Sequence, residues 1–127
     1  MCDVVVLDDD LLVRVTVAEL LRDDGLVVRE AGTGAEALSV LREYEDGKVQ
    51  VLVADRDLGG LSGTSDGFRV AVEALRERPG LKVIYASGGV DAVPGRAPGP
   101  RERVLPKPFP PSRLVRLVRE LLGPQQV

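Results

Sequence analysis

The stretch Val51–Gly60, VLVADRDLGG, constrains the fold more than any other. Four apolar residues run into Asp55, and the chain then meets charge and glycine. An apolar run of this length, bounded in this way, predicts a strand buried on both faces. A doubly buried strand needs helices above and below it, which selects layered α/β architectures. Asp55 then stands at the strand's C-terminal lip, where open parallel sheets bind their ligands. An Asp after a strand also simply starts a turn. The stretch alone therefore leaves Asp55 open between a turn former and the chemical centre of the protein.

The rest of the chain repeats the unit. Val4–Leu7 is a short apolar run ending in Asp8-Asp9-Asp10. Leu11–Asp24 carries Leu11, Leu12, Val15, Ala18 and Leu21 at helical spacing and stops at Gly25. Leu26–Glu30 predicts a second strand, and Ala31–Gly34 a loop. Ala35–Tyr44 predicts a helix with Ala37, Leu38 and Leu41 inward, and Val49–Ala54 the third strand. Leu58–Asp66 is a glycine- and serine-rich loop. Gly67–Arg78 is a helix burying Phe68, Val72 and Leu75, closed by Pro79-Gly80, and Leu81–Ala86 is the fourth strand. Gly88–Pro100 holds four glycines and three prolines. Proline costs about 3 kcal/mol inside a helix and glycine about 1, so no full helix is expected there. Val104-Leu105 forms a short fifth strand, and Ser112–Leu122 the last helix.

Alternation of this kind predicts a parallel sheet with helices on both faces. The fold expected is a doubly wound five-stranded sheet of order 2-1-3-4-5, flavodoxin-like, with the fourth helix shortened or replaced by the Gly/Pro-rich loop. The 127 residues suit one domain, 1–127. A net charge of −3 argues against non-specific nucleic-acid binding, which needs a basic face. No run reaches the length of a membrane span, and Asp3 with so short an apolar run before Asp8 is unlike a signal peptide. The single Cys2 fits a reducing, cytoplasmic setting. With no histidine in the chain, Ser-His hydrolases, His-metal sites and a phosphohistidine role all fall away.

In the 2-1-3-4-5 order the strand ends gather Asp8 and Asp9, Asp55, Ser87 and Lys107 on one edge. Two carboxylates about 4 Å apart repel by roughly 4 kcal/mol at an effective dielectric near 20, so three call for a cation. All-oxygen ligands with open positions suit Mg²⁺. A carboxylate in such a site can attack a phosphoryl group and become an acyl phosphate. Lys107 and Ser87 would neutralise charge on the transferring group.

The chain resembles response-regulator receiver domains of two-component systems over essentially its whole length. The Asp8-Asp9 pair matches the family's metal-binding acids, and Asp55 in VLVADRDLG its phosphorylated aspartate. Ala31–Leu38 matches the second loop and helix start. Ser87 in VIYASG matches the switch Thr/Ser, and Lys107 in LPKPF the family lysine, usually followed by a cis peptide. The resemblance implies phosphorelay signalling by a phosphoprotein. A histidine kinase or phosphotransfer protein would donate to Asp55 in a Mg²⁺-dependent reaction, followed by slow self-hydrolysis and altered binding of a downstream protein. It also implies that the Asp57 carbonyl is a metal ligand, and that the chain is a regulator, not an enzyme acting on other substrates. The stand-alone single-domain type is expected, and the oligomeric state is open. Three features depart from the family pattern. Val104 occupies the switch-aromatic position, Gly88–Pro100 replaces the usual fourth helix, and the third loop, Leu58–Asp66, is long.

Other readings compete. Asp10 suits a helix N-cap or an outer acid of the site. Arg113, Arg116 and Arg119 form a stripe that is either a solvated face or a docking face. Tyr85 and Phe109 read as packing residues. Asp55-Arg56-Asp57 resembles the D-x-D of haloacid-dehalogenase-type phosphatases, but Gly59 and the upstream acid pair do not fit. Gly32-x-Gly34-x-x-Ala37 resembles a dinucleotide fingerprint, yet it leaves Asp8-Asp9 and Lys107 without a role. A receiver fold acting as a phosphorylation-independent adaptor is the remaining alternative.

Overall fold

The computed structural model describes residues 2–55, 66–87 and 99–122. The elements are β1 (Val4–Leu7), α1 (Leu11–Asp23), β2 (Val28–Ala31), α2 (Gly34–Arg42), β3 (Val51–Asp55), α3 (Asp66–Glu77), β4 (Lys82–Ser87), β5 (Glu102–Pro106) and α4 (Pro111–Leu122). All five strands are parallel, in the order β2-β1-β3-β4-β5. The expected flavodoxin-like sheet is present. Four helices occur among the described residues. Residues 88–98 and 56–65, which hold most of the two expected loops, lie outside them.

The strands read as continuous apolar runs because successive side chains feed different layers. Val5, Leu7, Leu52, Ala54, Val83 and Tyr85 pack toward α2 and α3. Val4, Val6, Val51, Val53, Ile84 and Leu105 pack toward α1 and α4, where they meet Ala18, Leu21, Leu114, Val118 and Leu121. Cys2 is fully buried, and its thiol donates to the Val4 carbonyl at 3.3 Å. Burial pushes that thiol's pKa up, so it is protonated and inert.

Local chemistry sets the helix ends. Asp10 is the N-cap of α1, its side chain accepting from Val13 N–H at 3.2 Å. Thr33 caps α2 through Glu36 N–H, and Glu36 accepts in return from Gly32 N–H at 2.9 Å. After α1, Gly25 at φ +89° closes the helix while Leu26 N–H still reaches the Leu21 carbonyl. That closure moves the start of β2 from the expected Leu26 to Val28.

Helix α1 forms as expected, but its apolar stripe is only partly covered. Ala18 and Leu21 are buried, but Leu11 is 63% exposed, Leu12 76%, and Val15 is also exposed. The stripe is helical, yet its first turns rise past the sheet lip where β1 has already ended at Leu7, so they have no strand to cover.

Helices α2 and α3 approach closely at Gly34. A Cβ there would overlap Cγ2 of Val70, a buried β-branched side chain with little rotamer freedom. Gly34→Ala gains about 0.4–1 kcal/mol from the unfolded chain but overpacks this contact at about 1–3 kcal/mol. A net loss of stability is expected in denaturant melts. In a Val70→Ala background the same substitution should become neutral or stabilising.

Candidate functional site

Strand register builds the site. Leu7 pairs with Ala54, which brings the residues that follow, Asp8 and Asp55, side by side at the lip. Asp55 pairs with Ala86, and Ser87 with Pro106, so Lys107 follows directly on the next strand. One carboxylate oxygen each from Asp8, Asp9 and Asp55 lie within 4.8 Å of one another. Lys107 Nζ donates to Asp55 Oδ1 at 3.0 Å, and the Lys107–Pro108 peptide is cis. Four of the six residues singled out in the sequence are thus gathered in one cluster. Ser87 closes β4 in the expected place by its backbone. Asp57 lies outside the described residues.

The cluster is lopsided in charge and partly dry. Asp8 and Asp55 are buried, while Asp9 is exposed. Lys107 supplies one positive charge against three carboxylates. The three are hard oxygen donors, and an exposed member leaves room for solvent ligands, so the set fits a divalent cation such as Mg²⁺. Asp8 Oδ1 accepts from Asp10 N–H at 2.9 Å, which orients its carboxylate. Burial pushes the Asp8 carboxyl up to about 6; the Asp10 N–H opposes this, and the Asp55 charge adds to it.

Arg14 is a polar residue in the otherwise apolar first turn of α1. In the fold it reaches back to the site, its Nη1 donating to the Asp8 carbonyl at 3.1 Å and its Nε to Glu30 Oε1 at 3.4 Å. Its nearness to the acid loop along α1 was the available signal. The arginine stripe on α4 divides. Arg119 is tied to Asp24 of the α1 C-cap at 2.6 Å, whereas Arg113 and Arg116 have no ion-pair partner among the described residues. Tyr85 is a packing residue with a polar handle. Its ring lies 5.9 Å from Phe68, and its hydroxyl donates to the buried Glu102 at 2.5 Å. Val104, where the family carries an aromatic, pairs with Tyr85 across the strands.

The Asp8 carboxyl makes stability depend on pH. In the unfolded chain it titrates near the ordinary value of about 4; in the fold it titrates at about 6. Above pH 6 the folded state carries a buried charge at a cost of up to about 3 kcal/mol, and this cost fades as pH falls from 6 to 4. Asp8→Asn should therefore stabilise the cation-free protein at pH 7.5 and leave it unchanged at pH 4. Urea melts in chelator at the two pH values measure this.

Residues 4–119 match the Response regulator receiver domain family. The sensor kinase CckA of Brucella abortus (strain 2308) is 32% identical over 124 residues, taking in 96% of this chain and 13% of the kinase. The aerobic respiration control protein ArcA of Escherichia coli (strain K12) is 28% identical over 123 residues, 94% of this chain and 48% of that protein. The chain thus spans less than half the length of either relative. Among solved structures, a response regulator receiver protein of Sinorhizobium medicae WSM419 superposes with a TM-score of 0.78 at 26% identity, covering 96% of this chain and 94% of that one. The chemotaxis protein CheY4 of Vibrio cholerae shares the fold, with a TM-score of 0.76 at 19% identity, over 95% and 98% of the two chains. With the family matched along nearly its whole length, the chain belongs to the response regulator receiver domains, the signalling modules of two-component systems.

Proposed function

We propose that this chain is a single receiver domain that accepts a phosphoryl group on Asp55 from a histidine kinase or phosphotransfer protein and signals through altered protein binding. The observation that carries this reading is the 3.0 Å contact of Lys107 Nζ with Asp55 Oδ1 inside a trio of carboxylates. An Asp55 carboxylate oxygen attacks phosphorus, the donor's P–N or P–O bond breaks with its electron pair leaving on the donor, and an acyl phosphate forms. Lys107 then holds a phosphoryl oxygen at the position its ammonium already occupies. Ser87, at the end of the neighbouring strand, has the role of a second oxygen contact. Asp8 and Asp9, with Asp55 and the Asp57 carbonyl, hold Mg²⁺, which when bound supplies charge neutralisation for the transfer. The protein is a regulator that promotes only its own phosphorylation and slow dephosphorylation, in the cytoplasm.

Treatment with Mg²⁺ and acetyl phosphate should add one phosphoryl group by intact mass, and Asp55→Asn should abolish it. No adduct with any small donor or phosphohistidine protein would favour a phosphorylation-independent adaptor instead.

The exposed Leu11, Leu12, Val13 and Val15 begin one residue after Asp10, at the mouth of the site. A donor protein covering this apolar turn brings its phosphohistidine over Asp55, so the turn is assigned to the donor. Leu12→Glu should slow transfer from a phosphohistidine protein roughly tenfold, a loss of about 1.4 kcal/mol. Phosphorylation by acetyl phosphate should keep the parent rate, since that donor needs no docking surface.

A further inference from the structure

The acid loop is held by a side chain to which the reaction described above gives no part. Asp8 is fixed at three atoms. Its N–H donates to the Ala31 carbonyl at 3.1 Å, its Oδ1 accepts from Asp10 N–H at 2.9 Å, and its carbonyl accepts from Arg14 Nη1 at 3.1 Å. The first two bonds are made by the backbone. Only the third comes from a side chain, and that side chain is itself braced. Arg14 Nε lies 3.4 Å from Glu30 Oε1, and Glu30 Oε2 takes Arg22 Nη1 at 3.0 Å. Arg22 in turn donates to the Val28 carbonyl. The guanidinium is therefore fixed between α1 and β2 before it meets Asp8.

Room for it comes from Gly32. A Cβ at that position would stand 2.8 Å from Arg14 Nη1 and 3.7 Å from Cζ. Gly32 does not have the left-handed backbone that demands glycine; Gly25 and Gly47 are the described glycines that do. Glycine at position 32 thus leaves space that the end of the Arg14 side chain fills, and a Cβ there would make the guanidinium shift.

We propose that Arg14 is a positioning residue for the cation cradle: by holding the Asp8 carbonyl it fixes the Asp8–Asp9 peptide, and with it the direction in which both carboxylates face Asp55. The inference rests on reading Asp8, Asp9 and Asp55 as a divalent-cation site. Partners of metal ligands commonly shift metal affinity by about 10–100-fold when removed.

The proposal predicts a sign that simple electrostatics reverses. Removing a positive charge near a cation site should tighten cation binding if Coulomb attraction alone mattered. Loss of positioning should weaken it. Arg14→Ala and Gly32→Ala reach the same guanidinium by independent routes, one deleting it and the other pushing it off the Asp8 carbonyl while retaining its charge. In calorimetric titrations of the full chain with MgCl₂, each variant should bind about tenfold more weakly than the parent. Thermal melts in chelator identify which variants are folded, and Gly32→Ala keeps all the ion-pairing side chains if Arg14→Ala does not fold. Parent-like or tighter Mg²⁺ binding in a folded variant overturns the proposal. A parent protein that binds no Mg²⁺ overturns the cation-site reading and this inference together, whereas a binding parent with unaffected variants removes only the role of Arg14.

Discussion

Three carboxylates held within 4.8 Å of one another would separate in a flexible chain. Their mutual repulsion amounts to several kcal/mol at the effective dielectric of a protein edge. The sheet keeps them together because β1 and β3 are neighbours in fixed register, and each strand is locked by apolar contacts on both faces. Burial energy gained far from the lip thus sustains an arrangement that is unfavourable at the lip. The Asp8 carboxyl is raised first by its burial and further by the Asp55 charge, and the Lys107 ammonium on Asp55 relieves part of the repulsion. A site assembled in this way is ready to take up positive charge, and its remaining repulsion favours ligand entry.

The same logic explains the division of labour between elements. The strands carry the chemistry at their ends and apolar bulk along their length. The turns that follow them carry the fine adjustment. Asp10 caps α1 and also fixes Asp8 Oδ1 through its N–H, so the start of the helix and the orientation of an acid are one local event. Glu30 on β2 holds two arginines of α1 at once, fastening the helix to the sheet edge beside the acid loop.

Most of the fold was legible because strand and helix periods differ and each apolar run ended in glycine, proline or charge. The alternation called for a parallel sheet with helices on both faces, and in the order 2-1-3-4-5 such a sheet brings Asp8, Asp9, Asp55 and Lys107 to one edge. What was not legible depended on partners distant in sequence. Only Val104-Leu105 was expected as the fifth strand, yet β5 begins at Glu102, a buried carboxylate that accepts from the Tyr85 hydroxyl of β4. Leu11 and Leu12 carried a correct helical period, but periodicity does not show where the sheet beneath a helix stops. Arg14 looked like any solvated arginine, since its acceptor is a backbone carbonyl, and carbonyls carry no sequence signature.

Burial on both faces has a further consequence. In a sheet with one wet face, a one-residue slip between strands is penalised because apolar side chains turn to water. Here both faces of β1 and β3 are apolar, so the pattern along the strands offers little resistance to slippage. The penalty lies at the strand ends. Sliding β1 or β3 toward its own start by one step would draw Asp8 or Asp55 between apolar layers, where an unpaired carboxylate is strongly disfavoured. The acids that form the site therefore also act as end-stops, and the chain cannot surrender them without loosening the rule by which its central strands find their register.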